Sequence, residues 1–148
     1  MDKKNTDFYI TALTTIRNSF IKSIDGLSEE ELVKIPEGFR NNILGNFAQS
    51  ITSSQSICYK RMWLPVNSPE EYPIFFGKGT SPADWKGKID IQQVKTLALS
   101  TITKLEEDCN TGLFDHHQYD PYQTSFGILL NSFEEAFCFN NIHESLHL

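Results

Sequence analysis

Nineteen consecutive residues, Asn41 to Tyr59, carry no charge, although Arg40 and Lys60 bound them directly. Ile43, Leu44, Phe47, Ile51, Cys58 and Met62 recur at helical spacing and share one face of a helix predicted over 41–62. The other face carries Asn42, Gly45, Asn46, Gln49, Ser53 and Ser56. A helix face that meets bulk water normally draws its solubility from Lys, Glu or Arg. Neutral amides and hydroxyls suit a surface that is partly dry and hydrogen bonded. The run therefore predicts a helix whose polar stripe lines a pocket or a partner, with Asn42, Asn46 and Ser53 shielded from water. The alternative is a plain Asn/Ser-rich solvent face.

Three further stretches share the helical period. Asp7 to Leu27 places Phe8, Ile10, Leu13, Ile16, Phe20, Ile21 and Ile24 on one side. Asp90 to Asn110 does the same with Ile91, Val94, Leu97, Ala98, Thr101, Ile102 and Leu105, with Asp90 as cap and Gly112 as stop. The last runs from Ser132 to Leu148 behind a Ser132/Glu135 capping box, and a second box, Ser28/Glu31, opens a short helical turn. Between them, residues 63–88 hold Pro65, Pro69, Pro73 and Pro82 with Gly77, Gly79 and Gly87, which exclude a continuous helix or a central strand. The aromatics of that segment predict a cover or a strap, with Trp63, Tyr72 and Trp85 forming a lid or plain packing. Residues 113–124 are a second irregular stretch, and 125–130 a helical turn or an extended piece. No alternating run is long enough to build a sheet. The expectation is one all-α domain spanning 1–148, a four-helix bundle with long crossover loops.

A balance of 13 basic against 19 acidic residues, net −6, argues against a general nucleic-acid binder. No apolar run has the length of a membrane span or signal segment, so a cytoplasmic protein is expected. Cys58, Cys109 and Cys138 are an odd, widely spaced set that reads as small buried hydrophobes in a reducing compartment. His116 and His117 are adjacent, splay apart, and read as a solvated loop.

His143-Glu144-Ser145-Leu146-His147 matches H-E-x-x-H. Two histidines four apart on a helix can reach one metal ion. A protease of this pattern would use Glu144 as general base, but it also needs a strand-edged cleft that no part of the sequence suggests. The period places both histidines on the apolar side with Ala136, Phe139 and Leu146, and Glu144 toward the edge. An unpaired buried imidazole is costly, so the pair needs either a metal or hydrogen bonds. His147, in the last turn, is expected to fray.

The segment Asn41-Asn42-Ile43-Leu44-Gly45-Asn46-Phe47-Ala48-Gln49-Ser50-Ile51, preceded by Pro36-Glu37-Gly38-Phe39, resembles the second-helix motif of DinB-like proteins. Phe139 to Leu148 resembles that family's fourth-helix motif with its two histidines, and the order of elements agrees along most of the chain. The resemblance implies a four-helix bundle, often a homodimer, in which one histidine of the second helix and two of the fourth hold zinc or nickel. It also implies a thiol-dependent transferase or hydrolase acting on a small molecule, with a thiol among the expected partners. The implied ligand positions here are Gln49, His143 and His147, and Gln49 stands where relatives carry histidine. An amide oxygen is a weaker ligand than imidazole for these metals, so metal is expected to be weakly bound or absent. The rival expectation is a non-catalytic protein that binds a small ligand or a second copy and has lost tight metal binding.

Overall fold

The computed structural model describes residues 2–148, and the chain is predominantly helical. Four long helices dominate: α1 (Lys3–Ile24), α3 (Ile43–Cys58), α5 (Ile91–Asn110) and α6 (Phe133–His147). Short helices α2 (Glu29–Val33) and α4 (Tyr72–Phe76) lie in the connections, with 3-10 turns at Lys60–Met62, Pro82–Asp84 and Leu113–His116. The start signals act as expected. Asp90 accepts from the Gln93 amide, and Ser28 and Glu31 satisfy each other's backbone in a complete capping box. At α6 the box is displaced by one residue: Ser132 accepts from the Glu135 amide, but the Glu135 carboxylate takes the Asn131 amide.

Helix direction follows from which residues meet. Along α1 and α6, Asn5 donates to Glu134, the Tyr9 carbonyl accepts from Asn141 and Arg17 meets Glu144, so the numbers rise together and the two helices run parallel. Arg17 with Thr101 and Asp25 with Lys95 make α1 and α5 antiparallel. Tyr59 just after α3 donates to Asp108 at the end of α5 at 2.8 Å, which makes these two parallel. A parallel pair needs a connection as long as a helix, and that is the work of the proline-rich residues 59–90. Tyr72, Phe76 and Trp85 of this segment pack edge to face, and the Trp85 indole N–H donates to the Phe75 carbonyl at 3.0 Å. Trp85 lies over Gly45, where a methyl group would stand 3.1 Å from it. Trp63 is not part of this cover. It is 86% exposed and sits at φ 58°, where a bulky residue is strained.

Three expectations are corrected. A two-stranded antiparallel ladder does form, β1 (Tyr122–Gln123) with β2 (Leu129–Leu130), because the tight turn at Gly127 needs only two residues a side. Phe8 is exposed rather than on the apolar face, since the buried stripe of α1 runs through Thr6, Ile10 and Leu13, and Phe8 stands two residues, more than half a turn, from Ile10. Glu144 is not at an edge: it is 1% exposed, while Leu146 is 65% exposed. The helix is turned relative to the predicted face because a charge partner waits inside.

That partner is Arg17, also 1% exposed. Its Nε and Nη2 donate to the two Glu144 oxygens at 2.8 and 2.7 Å, and Nη1 donates to the Ala98 carbonyl and the Thr101 hydroxyl. Asn140 donates to Glu144 Oε1 at 3.0 Å. The group divides the apolar interior. One cluster holds Leu13, Cys58, Ile102, Leu105 and Phe137; the other holds Phe20, Phe47, Ile51, Val94 and Ala98. Residues of α1, α3 and α5 serve both clusters, but α6 serves only the first. Beyond the ion pair, α6 therefore faces α3 with polar side chains.

A buried bidentate pair contributes little net stability over an apolar replacement, but its half-removal strands a charge. We expect Glu144→Ala to lower unfolding stability in urea by about 3–5 kcal/mol. The double change Arg17→Met with Glu144→Leu should recover most of that loss.

Candidate functional site

The C-terminal half of α6 and the uncharged stripe of α3 run antiparallel and enclose a cavity of about 150 Å³. Gln49 and Ser53 of α3 line it from one side, and Phe139, His143 and His147 of α6 from the other. Thr124 and Ser125 of the hairpin close a third side. The three residues singled out as ligand positions thus border one internal space. The stripe is shielded as the missing charge implied: Asn42 is buried and Asn46 and Ser53 are half-buried.

The helix continues through His147, which α3 holds at two points. The Asn46 amide donates to the His147 carbonyl at 2.7 Å, which leaves the Asn46 carbonyl oxygen facing His147 Nδ1, also at 2.7 Å. That oxygen only accepts, so Nδ1 carries the proton and His147 Nε2 bears a lone pair. His143 Nε2 lies 3.2 Å away and donates to it. His143 Nδ1 is then left unprotonated, buried and without a hydrogen-bond partner. Both rings are neutral. Burial lowers the His143 pKa, and burial, followed by the cost of placing a second positive charge beside His143, lowers that of His147 to about 4.

Other candidates fall away. Glu144 has both oxygens committed to Arg17 and Asn140 and is sealed from the cavity, so the H-E-x-x-H segment supplies no general base. Cys58 is buried, and burial raises its thiol pKa; Cys109 is pushed up to about 12 by the same cause, so neither is a ready thiolate. Cys109 and Cys138 are only half-buried, against the expectation of three core thiols. His116 and His117 are exposed, in keeping with a solvated loop. Periodicity and motif spacing missed Arg17, whose only signal was a cation among the core positions of α1, and Asn46 as the partner of His147. Among the described residues, no three His, Cys, Asp or Glu side chains gather to hold a metal ion. No helix is long and apolar enough to cross a membrane.

The depressed histidine has a definite pH signature. Between the ordinary pKa of 6.5 and about 4, the unfolded chain binds a proton at residue 147 that the folded chain does not. Stability therefore falls as pH drops through that window. Nitrogen NMR of metal-free protein should show a neutral His147 ring at pH 5. The stability gap between wild type and His147→Gln should move against the wild type from pH 7 to pH 5; a constant gap would contradict the assigned environment.

No protein-family model matches the chain, and no curated protein matches it, so the geometry of this cavity carries the functional reading.

Proposed function

We propose that the chain is a DinB-like four-helix bundle with a small-molecule pocket built on a weakened divalent-metal site of His143, His147 and Gln49. One observation carries the reading: two imidazole Nε2 atoms 3.2 Å apart at the wall of a cavity that Gln49 shares. Two nitrogens on one tetrahedral zinc at about 2.0–2.1 Å stand about 3.3 Å apart, so the pair is already spaced for chelation. The Asn46 oxygen orients the His147 ring from behind, the usual support for a metal-binding imidazole. The helix order and the crossover connection support the bundle assignment.

The donor set fits a divalent ion incompletely. Gln49 offers an amide oxygen, held only by a long 3.5 Å bond from Asn41. To bind through Nε2, His143 must move its proton to Nδ1, which has no acceptor. A buried unsatisfied donor costs about 1–3 kcal/mol. Zinc or nickel, when bound, would supply Lewis acidity toward a small substrate. The residues themselves orient the pair, exclude bulk water through Phe139 and the hairpin, and keep both rings neutral. The incomplete donor set favours a second reading, in which the pocket binds its small ligand without metal or catalysis.

Calorimetric titration with zinc and with nickel at pH 7.5 tests this. Wild type should bind weakly, with a gain of about tenfold or more in Gln49→His as imidazole replaces the amide. Binding should vanish in His143→Ala. Equal affinity in wild type and Gln49→His, or tight binding that survives His143→Ala, would overturn the metal site.

A further inference from the structure

Beside the histidine cavity lies a second hollow of about 250 Å³. Ser53, Ile57, Lys78 and Tyr122 border both, so the two hollows adjoin along a common wall. Together they reach the range of small-molecule sites, roughly 300 Å³ and above. The second hollow is lined by Ser53 and Ser56 from α3, by Lys60 from the turn that follows, and by Lys78 from the segment after α4; Thr52 also borders it, with its hydroxyl donating to the Ala48 carbonyl. Ile57, Val66 and Tyr122 add apolar surface.

Charge separates this hollow from the rest of the molecule. The chain is acidic overall, at net −6, yet among the described residues no Asp or Glu lines either hollow. Lys88, Lys95 and Lys104 each pair with a carboxylate. Lys60 and Lys78 form no ion pair among the described residues. Arg61, next to Lys60, is taken up elsewhere: it bonds Asp120 at 3.0 Å and lies 4.4 Å over the Tyr122 ring. Its charge is spent steadying the shared wall, so of the three cations at the hollow only the two lysines stay unpaired among the described residues, as Lys3, Lys4, Lys22, Lys34, Arg40 and Lys86 do elsewhere. Two such charges beside low-polarity walls focus a positive potential into the hollow. Hydroxyl donors complement an anion without neutralising the lysines first. The same geometry opposes a cationic ligand.

We propose that the joined pocket binds a small organic anion, its carboxylate or phosphate held by Lys60, Lys78 and the α3 hydroxyls while its other end faces His143 and His147. The inference rests on the pocket reading above and names its ligand class. An anionic head group held at the lysine end leaves the carbon skeleton against Ile57 and Tyr122 and delivers the far end to the neutral imidazoles. It also fits the absence of Asp and Glu from α3, since either on that stripe would repel such a ligand.

The test is a proton–nitrogen NMR titration of the metal-free, full-length chain at low ionic strength, with inorganic phosphate and separately with acetate. Saturable shifts are expected at the amides of Ser53, Ser56 and Lys78. Lys78→Gln should weaken them, and Lys60→Gln with Lys78→Gln should weaken affinity by about tenfold or more. Both side chains are exposed, so the variants should fold, and Lys86→Gln should leave binding unchanged. Tighter phosphate than acetate would identify a phosphate-bearing ligand, and the reverse a carboxylate. No saturable shift, shifts centred on Lys86 and Lys88, or equal affinity in the double variant would overturn the inference. Zinc binding without anion binding would remove this inference alone; anion binding without zinc binding would remove only the metal reading.

Discussion

The Arg17–Glu144 pair sets the terms for the rest of the molecule. An ion pair with both partners 1% exposed tolerates little sliding, because a shift of one residue would strand two charges. It ties α1 to α6 directly and to α5 through the Ala98 carbonyl and Thr101, and so fixes the axial position of three helices at one level. The apolar clusters above and below that level could accept other registers; the guanidinium fork could not. The rotation it imposes on α6 also carries Leu146 out to solvent and turns His143 and His147 toward α3.

The cavity follows from this rotation and from the composition of α3. With α6 offering no apolar side chain to the second cluster, its last two turns meet the polar stripe of α3, and amides and hydroxyls are what that contact can accept without charge. Asn46 holds the end of α6 twice, at the ring and at the backbone carbonyl of one residue. The outcome is an imidazole pair that is held, neutral and faces the cavity.

Periodicity in the sequence locates all four long helices, and the uncharged run from Asn41 to Tyr59 points to an enclosed polar face. The His143/His147 pair is legible through its four-residue spacing, and Gln49 joins it only through the family that its segment resembles. Arg17 and Glu144 are not, because period arguments rank residues by polarity and send charges outward; only a partner 127 residues away reverses that ranking. The two-residue ladder falls below the length at which alternation can be read. The exposure of Trp63 is also hidden, since an aromatic in a proline-rich segment looks the same whether it packs or not. Lys60 and Lys78 carry no sequence signal at all. Their common role depends on residues 59–90 folding back along α3, which is a property of topology.

The Asn46–His147 contact spans 101 residues and consists of two hydrogen bonds at the last turn of α6, beyond the Glu144 anchor. Each is worth about 1 kcal/mol net, far less than the stability of a folded domain. The last turn can therefore unlatch while the ion pair holds the rest of α6 in place. Such an opening frees the His147 imidazole, while His143, on the near side of the anchor, stays in place and the core is kept. A contact this small opens by its own local equilibrium, which does not have to follow the stability of the whole protein.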